Sequence, residues 1–246
     1  MGEADGGGRV ALVTGSSSGI GAATARALAA EGWRVAVNSA RSAQAGRTVA
    51  AQLTDGHYLQ ADVSDEKQAV DLVDGVVEHF GRLDLVVNNA ATTRIIPHAD
   101  LGAATPQVWR EILDLNVIGL WQVTVAAVAH LRASGAGSIV NVSSIAGSRP
   151  AGSSIPYAVS KAAVEHLTRL LAATLGPEIR VNAVALGLID TPWTVELTGP
   201  REQVPAIAPL QRLGTAEDAA AAILGLVRSP YTTGSVLLAD GGVHLR

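Results

Sequence analysis

Cysteine is absent from this chain of 246 residues, and methionine and phenylalanine occur once each. Without a thiol the protein has no disulfide, no thiolate metal site and no cysteine nucleophile. Lysine is almost missing too: Lys67 and Lys161 stand against sixteen arginines. The 18 basic residues are outnumbered by 22 acidic ones, for a formal charge of -4, and they form no cluster. A nucleic-acid partner therefore has no electrostatic footprint. Although 48% of the residues are hydrophobic, no uninterrupted apolar run reaches the roughly 18 residues that mark a membrane span. Residues 1–8 are acidic and glycine-rich, unlike a secretory leader. They are expected to form a flexible N-terminal segment, with the cytoplasm as the compartment. The six histidines show no metal-ligand spacing, so no metal is expected.

What is present is a rhythm. Short β-branched runs at 9–14, 34–38, 57–61, 83–88, 138–142, 179–184 and 235–238 alternate with alanine-rich, helix-period stretches at 20–31, 43–53, 66–80, 106–132, 157–175 and 216–228. Such alternation implies parallel strands joined by crossover helices. It predicts an α/β protein: a doubly wound, seven-stranded parallel sheet with helices on both faces, the Rossmann fold. The length suits one core, so residues 9–246 are expected to be a single domain. The proline- and glycine-richer segment 192–209 is predicted to be a loop covering a site.

The stretch Thr14-Gly15-Ser16-Ser17-Ser18-Gly19-Ile20-Gly21 admits two readings. As G-x-S-x-G it makes Ser17 a hydrolase nucleophile, with Asp240 and His244 following in triad order. As a glycine-rich turn it wraps a dinucleotide pyrophosphate. Position favours the second, because the glycines follow the first strand and open the first helix, whereas a nucleophile elbow sits deeper in a sheet. Gly15 supplies a positive φ, Gly19 a close backbone approach and Gly21 a place where helix and strand meet without a side chain, while Ser17, Ser18 and the amides opening the helix at Ile20 offer donors to phosphate. No Lys-Ser/Thr follows the last glycine, which excludes an NTPase phosphate loop.

A second cluster is Tyr157-Ala158-Val159-Ser160-Lys161. On one helix, Tyr157 and Lys161 share a face with Cβ atoms about 5–6 Å apart. An ammonium so placed lowers a phenol pKa from about 10 and fits tyrosine for acid/base work. Taken alone, the pair also fits an ordinary solvated helix face.

Five motifs in order carry more. Thr14-Gly15-x-x-x-Gly19-x-Gly21, Asn88-Asn89-Ala90-Ala91, Asn116, Ser143-Ser144 and Tyr157-x-x-x-Lys161 have the spacing of the short-chain dehydrogenase/reductase family, and the chain resembles its compact single-domain branch, including 3-oxoacyl-[acyl-carrier-protein] reductase-like members, from Arg9 to Gly242. The resemblance implies an oxidoreductase moving hydride between a nicotinamide and a ketone/alcohol pair. Tyr157 would be its acid/base, Lys161 would hold the ribose hydroxyls and lower the tyrosine pKa, Ser144 would bond the substrate oxygen and Asn116 would help organise a proton relay. It further implies that Asp62-Val63 meet the adenine, that Asn89-Ala90 wall the adenosine, and that Ile189 and Thr191 anchor the carboxamide. Two positions depart from the family pattern: Leu186 stands where proline usually precedes Gly187, which predicts altered cofactor affinity, and Ala91 replaces a glycine.

The end of the second strand, Val35-Ala36-Val37-Asn38-Ser39-Ala40-Arg41, lacks the carboxylate an NAD site uses on the ribose. Serine stands in its place and Arg41 lies just beyond, so NADP(H) is expected to be preferred, with NAD(H) usable. The competing function is a catalytically silent nucleotide-binding sensor or scaffold on the same fold, which a broken Ser/Tyr/Lys set would favour. The expected partner is a small carbonyl or alcohol, with pocket candidates Thr93, Arg94, Ile145, Arg149, Ile155, Leu188, Trp193 and Leu197. Trp193 is placed to cover a substrate. Helix 157–175 is apolar on more than one face, at Val159, Ala163, Leu167, Leu170 and Leu171, which predicts a homotetramer or homodimer.

Overall fold

The computed structural model describes residues 8–246, so the expected flexible segment, apart from Gly8, lies outside the described residues. Seven strands, β1 (Val10–Val13), β2 (Arg34–Ser39), β3 (Gly56–Gln60), β4 (Leu85–Asn88), β5 (Gly137–Ser144), β6 (Ile179–Leu186) and β7 (Val236–Ala239), form one parallel sheet in the order β3-β2-β1-β4-β5-β6-β7. The predicted doubly wound α/β domain is the one observed. The strand order reverses between β1 and β4, and the crevice at the carboxyl ends of those parallel strands is where such sheets receive ligands.

Strands buried on both faces read as continuous apolar runs, and Val10–Val13 and Leu85–Asn88 are buried throughout. On one face, α3 (Glu66–Phe80), α5 (Leu120–Ala133) and α6 (Ile155–Leu175) bring Leu72, Val76, Val123, Ala127 and Leu171 to the core. On the other, α1 (Gly19–Ala30), α2 (Ala43–Ala51) and α8 (Ala216–Arg228) bring Leu28, Val49 and Ile223. Local chemistry sets the ends. Asp65 caps α3 by accepting from the Gln68 N–H, and Gly81, at φ 82°, stops it. Thr215 and Asp218 close a reciprocal box at the start of α8.

Two expectations need correction. The helix expected over 106–132 is divided into α4 (Pro106–Leu113), a π-helical stretch Asp114–Gly119, and α5. The widened turn lies where the Asn116 amide clasps the Thr92 backbone and where a Cβ on Gly119 would come within 3.0 Å of the Val63 carbonyl. Taken together, α4, the π-helical stretch and α5 (Pro106–Ala133) are long and apolar enough to cross a membrane by length and composition, but in α5 an apolar face is turned inward. Its buried Leu120, Val123, Thr124, Ala127 and Leu131 face the protein core. The expected loop 192–209 holds a 3-10 turn, Pro192–Thr194, and a helix, α7 (Thr198–Ile207). Pro200 sits in the first turn of α7, where proline is tolerated, and Pro205 near its end. Leu186 continues β6 in register with Ser144 and Ala239.

Candidate active site

The glycine turn is built from its neighbours. Gly15 and Gly19 have φ of 62° and 52°, where L side chains are strained. A Cβ on Gly21 would lie 2.6 Å from the Gly15 carbonyl and 2.7 Å from Asn89 Nδ2. The Asn89 amide donates to the carbonyls of Thr14 and Gly15, at 2.9 and 3.0 Å, and Thr14 Oγ1 accepts from the backbone N–H groups of Asn89 and Ala90. The side chain expected to wall the adenosine is thus spent on holding the turn. Of the three serines, Ser16 faces inward: its hydroxyl donates to Val13 and accepts from the Asn38 N–H. Asn38 in turn donates to the carbonyls of Leu59 and Ala61, tying β1, β2 and β3 together. Neither Ser16 nor Asn38 is among the residues expected at the site; the signal for both is a polar residue closing an apolar strand. Ser17 is half-buried and Ser18 exposed, and Ile20 packs against the core.

Across the crevice, a Cβ on Gly19 would lie 3.4 Å from Thr191 Cγ2, so the β1–α1 turn and the segment after β6 face each other at close range. Ile189 is buried, and its carbonyl accepts from Thr194 Oγ1 at 2.6 Å. Asp62 is no helix cap: its carboxylate accepts from the Ser64 N–H and hydroxyl, forming a turn after β3. Val63 belongs to the core, which leaves only its backbone for an adenine contact. Arg41 is exposed and, among the described residues, has no hydrogen bond or ion pair. Ser39 is buried and shares a 2.9 Å hydrogen bond with the Tyr58 hydroxyl.

The chemical groups converge at the ends of β5 and α6. Ser154 caps α6 by accepting from the Tyr157 N–H, with Pro156 in the first turn, and this entry sets Tyr157 and Lys161 one turn apart beside Ser144. Lys161 is buried and its Nζ donates to the Val142 carbonyl at 2.8 Å, leaving two further protons for a ligand. Burial lowers its pKa to about 8. Burial also pushes the Tyr157 phenol up to about 12, opposed by a hydrogen bond with Ser144. The expected lowering by Lys161 is not seen in this geometry: Nζ is committed to Val142 and stands 5.6 Å from the centre of the tyrosine ring. Asn116 is buried and its side-chain hydrogen bonds do not include Lys161. Its Oδ1 accepts from the Thr92 N–H and its Nδ2 donates to the Thr92 carbonyl and to Ser160 Oγ, which itself donates to the Tyr157 carbonyl. It positions the β4 loop and the first turns of α6. Asn88 lies deeper, bonded to Thr124 and Asn141.

A cleft of about 420 Å³ lies between the loop after β4, the loop before α6 and the start of α7; Tyr157 does not line it, but a Cβ on Gly152, which does, would stand 3.6 Å from Tyr157 Cδ1. Of the eight residues expected to line the pocket, Leu197 lines this cleft. Thr93 shares a hydrogen bond with Ser153, Arg94 pairs with Glu111, and Arg149 donates to the Val243 carbonyl. Asp240 and His244, the formal triad partners of Ser17, bond each other in a C-terminal turn. No cluster of three or more potential metal ligands occurs among the described residues.

The family model described as enoyl-(acyl carrier protein) reductase matches residues 15–244. The chain is 66% identical over 239 residues to a Streptomyces violaceoruber protein assigned as ketoacyl reductase 2 of the granaticin polyketide synthase, covering 96% of each. It is 40% identical to cis-4-hydroxycyclohexanecarboxylate dehydrogenase of Sinomonas cyclohexanicum, over 95% of this chain and 96% of that one. The 3-oxoacyl-[acyl-carrier-protein] reductase of Synechocystis is 35% identical over 96% of each chain. A crystal structure of a protein from Burkholderia xenovorans, described as a short-chain dehydrogenase/reductase, superposes with a TM-score of 0.92 at 38% identity, covering 98% of this chain and 100% of that one.

Proposed function

The chain belongs to the short-chain dehydrogenase/reductase family and is an oxidoreductase acting on a ketone and secondary alcohol; from that premise we propose that it is an NADP(H)-dependent ketoreductase in which Tyr157 is the acid/base. The observation that carries this reading is the meeting of Tyr157, Ser144 and buried Lys161, in a sheet whose first strand runs into a glycine turn where a Cβ on Gly15 or Gly21 would clash. When bound, reduced nicotinamide supplies the hydride. Tyr157 gives its proton to the carbonyl oxygen, Ser144 holds that oxygen by a hydrogen bond, and Lys161 offers its two free N–H groups to the ribose hydroxyls. Gly15, Ser17, Ser18, Gly19, Ile20 and Gly21 would hold the pyrophosphate, Asp62, Ala90 and the backbones of Val63 and Asn89 the adenosine end, and Ile189 and Thr191 the nicotinamide end. Asn116 acts as a positioning residue. The relatives' names support a ketone of the ketoacyl or polyketide type, and we place the reaction in the cytoplasm. Following nicotinamide absorbance against a panel of ketones and alcohols tests the assignment; no turnover of any of them would overturn it.

The coenzyme preference rests on charge. Ser39 cannot repel a 2′-phosphate and Arg41 stands free to pair with it. The expected result is a higher kcat/KM with NADPH than with NADH, and Arg41→Ala should reduce that ratio by about tenfold, the scale of one charge-assisted contact. A wild type that favours NADH, or an unchanged ratio in the variant, would refute the role.

An oligomer is expected from apolar side chains left uncovered on neighbouring helices. Ile118, Trp121 and Val125 are 44–53% exposed, and Val159 and Leu170 on α6 are 43% and 53% exposed. Buried against a second copy, this surface would leave water. Light scattering should give a multiple of the chain mass, and Val125→Arg with Leu170→Arg should shift it towards the monomer. A monomeric wild type at micromolar concentration contradicts this.

A further inference from the structure

Tyr58 reaches from β3 to the end of β2, and its hydroxyl meets Ser39 twice. The phenol oxygen lies 2.9 Å from Ser39 Oγ and 3.3 Å from the Ser39 carbonyl, to which it can donate. The ring is held in that place by α2. It crosses the helix at Gly46, where a Cβ would lie 2.2 Å from Tyr58 Cε2 and 2.5 Å from Cδ2, so a side chain at 46 would push the ring away. The Arg47 guanidinium lies over the ring, 5.8 Å from its centre.

These groups can share their protons in two ways. In the first, Tyr58 donates to the Ser39 carbonyl and the serine hydroxyl donates to the phenol oxygen, which leaves Ser39 Oγ only its lone pairs to offer. In the second, Tyr58 donates to Ser39 Oγ, and the serine proton is free to be given elsewhere. The carbonyl is not orphaned by the exchange, because the Ala61 N–H also donates to it, at 3.3 Å. The pair thus presents either an acceptor or a donor at the end of the second strand, the place where such a sheet meets the ribose of a dinucleotide. A 2′-phosphate can use only the donor. A 2′-hydroxyl can use either.

We propose that Tyr58 is a positioning residue for coenzyme recognition: by donating to Ser39 Oγ it turns the serine proton outward, to the 2′-phosphate of NADP(H). This rests on the coenzyme reading above and adds a second contact to it. Arg41 supplies charge but stands exposed, where an ion pair gains little in water. Ser39 has only 6% of its surface exposed, so a hydrogen bond from its hydroxyl to a phosphate is charge-assisted and shielded from solvent. Two hydroxyls donating in one direction also polarise each other, and the phenol strengthens the donor it feeds. Towards the 2′-hydroxyl of NAD(H) the partner is neutral and matches either arrangement, so Tyr58 matters less there. Strands β2, β1 and β4 separate Tyr58 from β5 and Ser144, which confines its effect to binding.

The test is calorimetric titration of the protein with NADPH and with NADH, in the absence of any ketone. Tyr58→Phe should raise the Kd for NADPH by about fivefold, the scale of one ordinary hydrogen bond, and that for NADH by less than about twofold. Ser39→Ala should show the same pattern, and the double variant should bind NADPH no more weakly than Ser39→Ala, because the phenol acts through the serine. Thermal melting checks that the variants are folded. Equal changes for the two coenzymes, or none, would reduce Tyr58 to a packing residue, and losses that add in the double variant would show that it acts without Ser39; each of these overturns the proposal. A wild type that binds NADH more tightly than NADPH would instead overturn the coenzyme preference, and the ratio of the two Kd values in Tyr58→Phe against wild type would still decide whether Tyr58 serves the phosphate.

Discussion

Tyr157→Phe is expected to lower kcat for ketone reduction by about two orders of magnitude or more, because that is what a positioned general acid typically supplies. The ring stays in place, so the fold and coenzyme affinity should persist, which fluorescence titration with NADPH and thermal melting would check. Retained turnover would remove Tyr157 from the mechanism. The surroundings add a pH signature. The phenol, pushed up to about 12 by burial, stays protonated across the neutral range and is ready to donate. The Lys161 ammonium, lowered to about 8 by the same cause, is present below that pH and lost above it. For free enzyme, kcat/KM for reduction is therefore expected to be level through neutrality and to fall as pH rises past about 8. The limb belongs to the lysine, so Tyr157→Phe should retain it in its residual rate.

The second large effect is expected at Gly21. A methyl group there would stand 2.6 Å from the Gly15 carbonyl, 2.7 Å from Ser16 Cα and 2.7 Å from the Asn89 amide that clasps the turn. Two of these neighbours are backbone and cannot swing away. Gly21→Ala is therefore expected to cost about 2–3 kcal/mol of stability and to weaken NADPH binding by more than tenfold, since the turn opens and the two Asn89 bonds are strained. Gly225→Ala is the contrast. Gly225 sits on the exposed side of α8 with nothing within 4 Å of its Cβ, so the same change there should stabilise by up to about 1 kcal/mol. Denaturant melts of the two variants decide the matter. Equal stability of Gly21→Ala and wild type would mean that the turn relaxes more freely than its contacts allow.

Both predictions use residues that the sequence singled out, yet the neighbours that make them large were hidden from it. The glycine turn and the Tyr157/Lys161 pair are legible because their members lie within a few residues of each other, and the backbone period alone puts them together. The asparagines are another matter. Asn89 reads as a cofactor wall and turns out to brace the turn from 75 residues away, and Asn116 reads as a relay member and clasps Thr92 and Ser160. An asparagine offers two donors and two acceptor sites whatever its neighbours, so its type does not say which partners will meet it.

The sequence by itself determined the seven parallel strands, the crossover helices and the glycine turn, because alternation of β-branched and helix-period segments is a local signal and β1 leads directly into that turn. It also singled out Ser144, Tyr157 and Lys161, the groups we propose to carry the reaction. Tertiary structure alone decided how those groups are tuned: the phenol and the ammonium are displaced by desolvation, which depends on what packs around them and not on their spacing. It decided that a helical run opens into a π turn at Asn116, against Thr92 and the Val63 carbonyl. It decided as well that residues 198–207, rich in proline and glycine and so weak in intrinsic helix propensity, wind into α7 and are moored by Arg201 to Asp190 beside Trp193. Each of these outcomes depends on contacts between segments far apart in the chain, and no window of sequence contains them.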